Sequence, residues 1–322
     1  MTTKLAAHRT EEYLLSPEPV SPAFSRVLLA IDFGSASLGA ARWATTHIAR
    51  AADAVVTHVI SGSDGASCID AVAARHASLR QMTPALVGGL GGFAATLDVA
   101  AHSSVVRIGP PSRCLSAIAN DTGASLIVLG RRSDANRTGI GEPNVIERTA
   151  RRTKSSILVV PESTTSAPER VVVAVDESRF ALHALEIASR LARMHEIPLT
   201  VLHVLPPTVG SYDRVIRSKK SVVAGSVSKA AQRTVVPASL ASSTTRWLMQ
   251  LGRAHNVLGR DTTEIAVGDP VREIARAAME EGPSLVVVGM RGADGAPRGS
   301  LGSVARELLT RGPMPVLVVN AA

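Results

Sequence analysis

The 322-residue sequence is poor in aromatic rings, with two Trp, two Tyr and four Phe. That scarcity argues against a single-stranded nucleic-acid surface, which stacks bases on aromatic side chains. Cysteine is nearly absent as well: Cys68 and Cys114 stand far apart, with no CxxC and no Cys/His spacing of a zinc site. Two free, inert thiols in a reducing cytoplasm are expected, not a disulfide scaffold. No apolar run approaches the roughly 20 residues needed to cross a bilayer. Residues 1–25 lack the apolar core of a signal peptide and read as a flexible tail. A cytoplasmic protein without a membrane partner is expected. The net charge of +8 arises from 35 scattered Lys and Arg against 27 Asp and Glu. No RNP-like motif, zinc finger or helix-turn-helix accompanies it, so no nucleic-acid partner is expected. The one local basic run is Arg214–Lys220, RVIRSKK.

What the chain does have is an internal repeat. RVLLAID at Arg26–Asp32 returns as RVVVAVD at Arg170–Asp176, and THVI at Thr57–Ile60 as LHVL at Leu202–Leu205. SLIVLGRR at Ser125–Arg132 returns as SLVVVGMR at Ser284–Arg291, and SILVVP at Ser156–Pro161 as PVLVVN at Pro315–Asn320. PESTTSAPE at Pro161–Glu169 has the composition of a linker. The expected organisation is a tail over 1–25, a first unit over 26–161, a linker over 162–169 and a second unit over 170–322.

Within each copy, short β-branched runs alternate with amphipathic helical patterns. The first copy predicts strands at Val27–Ile31, Ala54–Ile60, Ser104–Ile108, Leu126–Leu129 and Ile157–Val160. Its helices are expected at Leu38–Ala51, Ala71–Leu79, Ser112–Asn120 and Val145–Arg152. The second predicts strands at Arg170–Val175, Leu199–Val204, Thr263–Val267, Leu285–Val288 and Val316–Val319, with helices near Phe180–His195 and Thr245–Val257, after Pro270, and from Ser303. The region from Val209 to Thr244 carries no clear pattern. Such alternation implies right-handed crossovers onto parallel sheets covered on both faces. The fold class is α/β: two tandem doubly wound five-stranded sheets in the order 3-2-1-4-5. Ligands of such sheets bind beyond the strand carboxyl ends where the order reverses, and there Asp176 would meet Gly289.

Between strand and helix in SLVVVGMRGADGAPRGSLGSVARELLT (Ser284–Thr310) lies a glycine-rich loop. Glycines let backbone N–H groups approach an anion closely, and a helix N-terminus adds a positive end. Ser303 can cap the helix or bond a phosphate oxygen. The position preceding it is Gly302, not the Lys a Walker loop requires, and the glycines lie too far apart for GxGxxG. The spacing is Gly289, two residues, Gly292, nine residues, Gly302 and Ser303.

This G-x2-G-x9-G-[ST] pattern, the strand-1 Asp176, His203–Val204 and the V-G-D-P of Val267–Pro270 together resemble the universal stress protein family in its tandem form. The resemblance covers about Arg26 to Asn320. It implies an adenine nucleotide-binding fold of the adenine nucleotide alpha hydrolase-like type, holding ATP (or AMP), with or without Mg2+. Asp176 and Val204 would lie near adenine and ribose. Gly289, Gly292, Gly302 and Ser303 would receive ribose and phosphates, with Val304 beside them. The family often has a Ser where Ala305 stands. The resemblance also implies a pseudo-dimer of the two copies, with Ile157–Val160 and Val316–Val319 as pairing edges, and leaves a homo-oligomer open.

The first copy departs from the pattern. Gly130 is kept, but Ser133, Pro143 and Asn144 replace the second Gly and the Gly-Ser pair. Pro143 lacks an N–H donor, and Glu142 would repel a phosphate. One working site and one degraded copy are expected, with Gly139 and Gly141 leaving an out-of-register loop open. Asp176 by itself also suits a general base, a metal ligand or the cap of a turn. His58 and His203 occupy equivalent positions without a partner at catalytic spacing, and read as packing residues. Arg291 and Arg298 either screen phosphate or face solvent. The functional expectation is an ATP-binding stress-response module with at most slow hydrolysis. Its rivals are a ligand-free interaction scaffold and an ATP-using hydrolase or nucleotidyl transferase, whose SGGxDS-like loop is missing from AVDESRF.

Overall fold

The computed structural model describes residues 23–49, 52–60, 84–132, 145–205, 217–218, 244, 246–248, 250–251, 261–280, 282–292 and 300–321. The first half runs β1 (Arg26–Ala30), α1 (Ser35–His47), β2 (Asp53–Ile60), a helix over 84–94, β3 (Ala101–Ile108), α2 (Pro111–Thr122), β4 (Leu126–Arg131), α3 (Val145–Arg152) and β5 (Ser156–Pro161). The second runs β6 (Arg170–Ala174), α4 (Arg179–Met194), β7 (Leu199–Leu205), β8 (Arg217–Ser218), helical residues between 244 and 251, β9 (Thr262–Val267), α5 (Pro270–Met279), β10 (Ser284–Gly289), α6 (Ser303–Arg311) and β11 (Val316–Val319).

The strands form one sheet in the order β3-β2-β1-β4-β5-β11-β10-β6-β7-β9-β8. Each half contributes five parallel strands in the order 3-2-1-4-5, and β8 adds a short antiparallel edge to β9. The halves join where β5 and β11 pair antiparallel, Val159 opposite Val316 and Ile157 opposite Val318. These are the two edges that the resemblance implies, and through them the expected pair of sheets is a single sheet. Pairing removes two exposed ladders that would otherwise invite other chains.

The continuous apolar strands follow from burial on both faces. One core cluster joins α1, α4, the 84–94 helix and Leu248 and Leu251 on one side of the sheet. The other joins α2, α3, α5 and α6 on the opposite side. Each cluster runs through both halves. At the seam, Asn320 Nδ2 donates to the carbonyls of Lys154 at 3.0 Å and Thr153 at 3.4 Å, satisfying carbonyls just past the end of α3.

Two expectations shift. The helix over 84–94 was not anticipated, because Gly88, Gly89, Gly91 and Gly92 lower helix propensity. Burial of Leu90 and Ala94 against the sheet overrides that cost. Helix α1 begins at Ser35 and ends at His47, where the N–H groups of Ile48 and Ala49 both close onto Ala44 O. The expected helix at Ala71–Leu79, Cys68, most of Val209–Thr244 and the first-copy loop from Ser133 to Asn144 lie outside the described residues.

Candidate functional site

In the second half the strand order reverses between β6 and β10, and their carboxyl ends open side by side. Asp176 follows β6. Its Oδ1 accepts the Ser178 N–H at 2.9 Å, an Asx turn that fixes the carboxylate at the strand end. Ser178 in turn caps α4: its Oγ accepts the Ala181 N–H at 3.1 Å and donates to Arg291 O at 3.3 Å. Ser178 thus ties the glycine loop to the helix after strand 1. Sequence reasoning missed it, although a Ser two residues after Asp and just before a helical pattern is a cap signal.

The loop glycines divide into two kinds. A Cβ on Gly292 would lie 2.9 Å from Asp176 Oδ2, so the two residues touch across the crevice. A Cβ on Gly302 would lie 3.3 Å from Met290 O and 3.7 Å from Gly292 N, and Gly302 N donates to Met290 O at 2.9 Å. Asp176, Gly292 and Gly302 are therefore brought together. Gly289 faces elsewhere: a Cβ there would stand 2.8 Å from Phe180 C and 3.0 Å from Ala181 N. Its small size is what lets α4 lie on the strand end. Gly130 has the same role in the first half, where a Cβ would meet Ala36 O at 2.2 Å.

Gly302 is the N-cap of α6, extended at φ −59° and ψ 150°, with no side-chain cap and no acidic residue in the first turn. The Arg306 N–H closes the first turn onto Gly302 O. Ser303 is exposed, whereas Val304 and Val204 are half-buried and pack on the same core cluster. By contrast α5 is capped by its own Asp269, whose Oδ1 accepts the Arg272 N–H at 2.9 Å. The preceding Gly268 has φ +153°, a conformation side chains rarely adopt, and Gly109 repeats it at +147° in the first half.

Arg291 Nε donates to Ser300 O at 3.0 Å, and its guanidinium lies over the Phe180 ring at 5.2 Å. It fastens the two described ends of the loop, Met290–Gly292 and Ser300–Gly302. Arg298 and the remaining loop glycines lie outside the described residues. His203 Nδ1 sits 2.7 Å from Val175 O, and His58 Nδ1 2.7 Å from Ile31 O. A carbonyl only accepts, so Nδ1 carries the proton in both, and each ring braces strand 2 against the end of strand 1.

In the first half the equivalent carboxylate, Asp32, is bonded to neighbouring residues of the chain. Asp32 Oδ1 accepts the Gly34 N–H at 2.9 Å and the Ser37 hydroxyl at 2.5 Å, while Oδ2 pairs with Arg132 Nη2 at 2.9 Å. Burial alone would raise the Asp32 pKa, but the bonds from Ser37, Gly34 and Arg132 outweigh it and hold the carboxyl below its ordinary value. Beside it Phe33 adopts φ +61°, and its ring tilts against His58 at 5.1 Å. Cys114 lies under Gly109; burial raises its thiol pKa against a smaller pull from Arg107, which leaves it protonated.

Comparison with known proteins agrees with this geometry. The model of the universal stress protein family matches twice, over residues 23–161 and 168–320. The chain is 28% identical over 160 residues to universal stress protein YxiE of Bacillus subtilis (strain 168), covering 47% of this chain and 98% of that one. It is 29% identical over 155 residues to a universal stress protein of Mycolicibacterium smegmatis (strain ATCC 700084 / mc(2)155), spanning about half of each chain, 47%. In fold it is similar to a universal stress protein of Archaeoglobus fulgidus DSM 4304, with a TM-score of 0.62, 18% identity, and 92% of this chain and 99% of that one covered. A putative universal stress protein of Pseudomonas aeruginosa UCBPP-PA14 gives a TM-score of 0.57 at 15% identity, covering 92% and 93%. The chain belongs to the universal stress protein family, in a form that carries two copies of its unit in tandem.

Proposed function

We propose that the second half binds one adenine nucleotide, ATP or AMP, and that the chain acts as a cytoplasmic, nucleotide-dependent stress-response module. One observation carries this reading. Among the described residues the N-terminus of α6 has neither a side-chain cap nor a first-turn acid, and it lies beside Gly292 and Asp176 at the strand reversal. Helices α4 and α5 of the same half satisfy their first turns with Ser178 and Asp269. An anion is the natural partner for uncapped N–H groups at a positive helix end.

On this reading Asp176 and Val204 meet adenine and ribose, while Gly292, Gly302, Ser303 and Val304 receive ribose and phosphates. Gly289 contributes backbone only, since α4 fills the space beside it. The helix dipole supplies about 0.3–1 kcal/mol to a phosphate, so several N–H bonds must add the rest. Ala305 offers no hydroxyl there. Among the described residues no group of three or more His, Cys, Asp or Glu gathers as a metal site, so a Mg2+ would arrive on the phosphates. The loop has no P-loop Lys, and among the described residues no side chain is assigned to activate water, so hydrolysis on this reading is at most slow.

Calorimetric titration of ATP and AMP into the intact chain tests the proposal. About one nucleotide per chain is the expected result. Two per chain would assign a working site to the first half, and no binding at millimolar nucleotide would favour an interaction scaffold.

A further inference from the structure

The two halves carry different residues at one equivalent position, and the difference falls on the helix that faces the proposed phosphates. At the end of β4 stands Arg131, and at the end of β10 stands Met290. Met290 is buried in its own half beside Leu301, Ala305 and Leu308. Arg131 instead crosses the seam. Its guanidinium donates to the Gly312 carbonyl and, at 3.5 Å, to the Leu309 carbonyl, both at the C-terminus of α6.

These carbonyls need a partner. The last four C=O groups of a helix have none within it, and a left-handed glycine cap often supplies one. Gly312 does not do so here, with φ −57° and ψ 130°. A cation at this end also complements the helix dipole. The donor itself is held firmly: the Arg131 backbone is in register with Pro161 of β5, and Arg131 O accepts the Glu162 N–H at 2.8 Å. Helix α6 has nine residues, so it is about 13 Å long at 1.5 Å per residue. A helix this short moves as a unit, so a restraint at its C-terminus limits the displacement of its N-terminus.

Resting on the nucleotide reading above, we propose that Arg131 of the first half is a positioning residue for the nucleotide site of the second. By anchoring the C-terminus of α6, it holds Gly302, Ser303 and Val304 in register with the phosphates. The first half thereby tunes the affinity of the second. The neighbouring arginines divide the work, Arg132 turning inward and Arg131 outward.

The test compares ATP affinity in the full chain and in Arg131→Met, which installs the residue the second half has at this place. Titration at 20 °C should give binding about three- to tenfold weaker in Arg131→Met, with Arg131→Lys recovering most of the loss. Hydrogen exchange of the first-turn amides of α6 should quicken in Arg131→Met without nucleotide. A purely structural arginine would lower the melting temperature equally with and without ATP; a positioning one also shrinks the ATP-induced rise. Wild-type binding with an unchanged dissociation constant in Arg131→Met overturns the inference alone. Absence of binding in the wild type overturns the nucleotide reading, and this inference with it. Should Arg131→Met not fold, Arg131→Gln carries the same comparison with one amide donor retained.

Discussion

Asp176 and Gly292 are in contact across the crevice of the second half: a Cβ on Gly292 would lie 2.9 Å from Asp176 Oδ2. The residues are more than a hundred positions apart, and β6 pairing with β10 brings them together. In the first half the same carboxylate is met by Arg132 at 2.9 Å. The strand-end carboxylate faces a glycine of the loop in one half and carries an arginine ion pair in the other.

Gly292→Asp should abolish nucleotide binding. Its carboxylate would stand against that of Asp176 and face the phosphates, two like-charge contacts at once. A loss of at least about 100-fold, or ~2.8 kcal/mol, is expected. Titration calorimetry measures it, and unchanged affinity would place the site elsewhere.

Gly302→Asp separates binding from folding. The extended N-cap conformation of Gly302 suits Asp, which is among the favoured caps. The new carboxylate would take the N–H groups that a phosphate needs. The melting temperature should stay nearly level, the gain from the cap offsetting the 3.3 Å approach of the new Cβ to Met290 O. ATP binding should be lost, and a variant that is stable yet still binds ATP would refute the role of the α6 N-terminus.

Gly289→Ala and Gly130→Ala should do the reverse. Each added Cβ meets helix backbone, that of α4 at 2.8 Å for Gly289 and that of α1 at 2.2 Å for Gly130. Overpacking of this kind costs about 1–3 kcal/mol, with Gly130→Ala at the upper end or beyond. Urea denaturation gives the loss. If Gly289→Ala is as stable as wild type, its close approach to α4 is not what the position requires.

Asp32→Asn should destabilise the first half in a pH-dependent way. The folded-state pKa of Asp32 lies below the ordinary 3.8, so its contribution is present above that pH. It is lost as pH falls below 3.8 through the folded value. The stability gap between variant and wild type should be full at pH 7 and close in acid. The side chain is half exposed, so the gap is small. A gap that widened in acid would contradict the Arg132 and Ser37 bonds as its source.

The repeat, the alternation of strands and helices, and the spacing of Gly289, Gly292, Gly302 and Ser303 were legible in the sequence, because period and turn chemistry are local properties. So was the departure of the first copy from that spacing, at Ser133, Pro143 and Asn144. Tertiary structure alone decided what each group faces. The glycine-rich helix over 84–94 exists because Leu90 and Ala94 find a sheet to cover, which no local propensity reports. Gly289 and Gly130 are small because α4 and α1 lie on them, while Gly292 is small beside a carboxylate. Arg131 and Arg132 are adjacent in sequence, yet one reaches α6 of the other half and the other reaches Asp32. Those contacts join residues about 100 to 180 positions apart. They are fixed by sheet register and by the pairing of β5 with β11, which only the assembled fold brings into being.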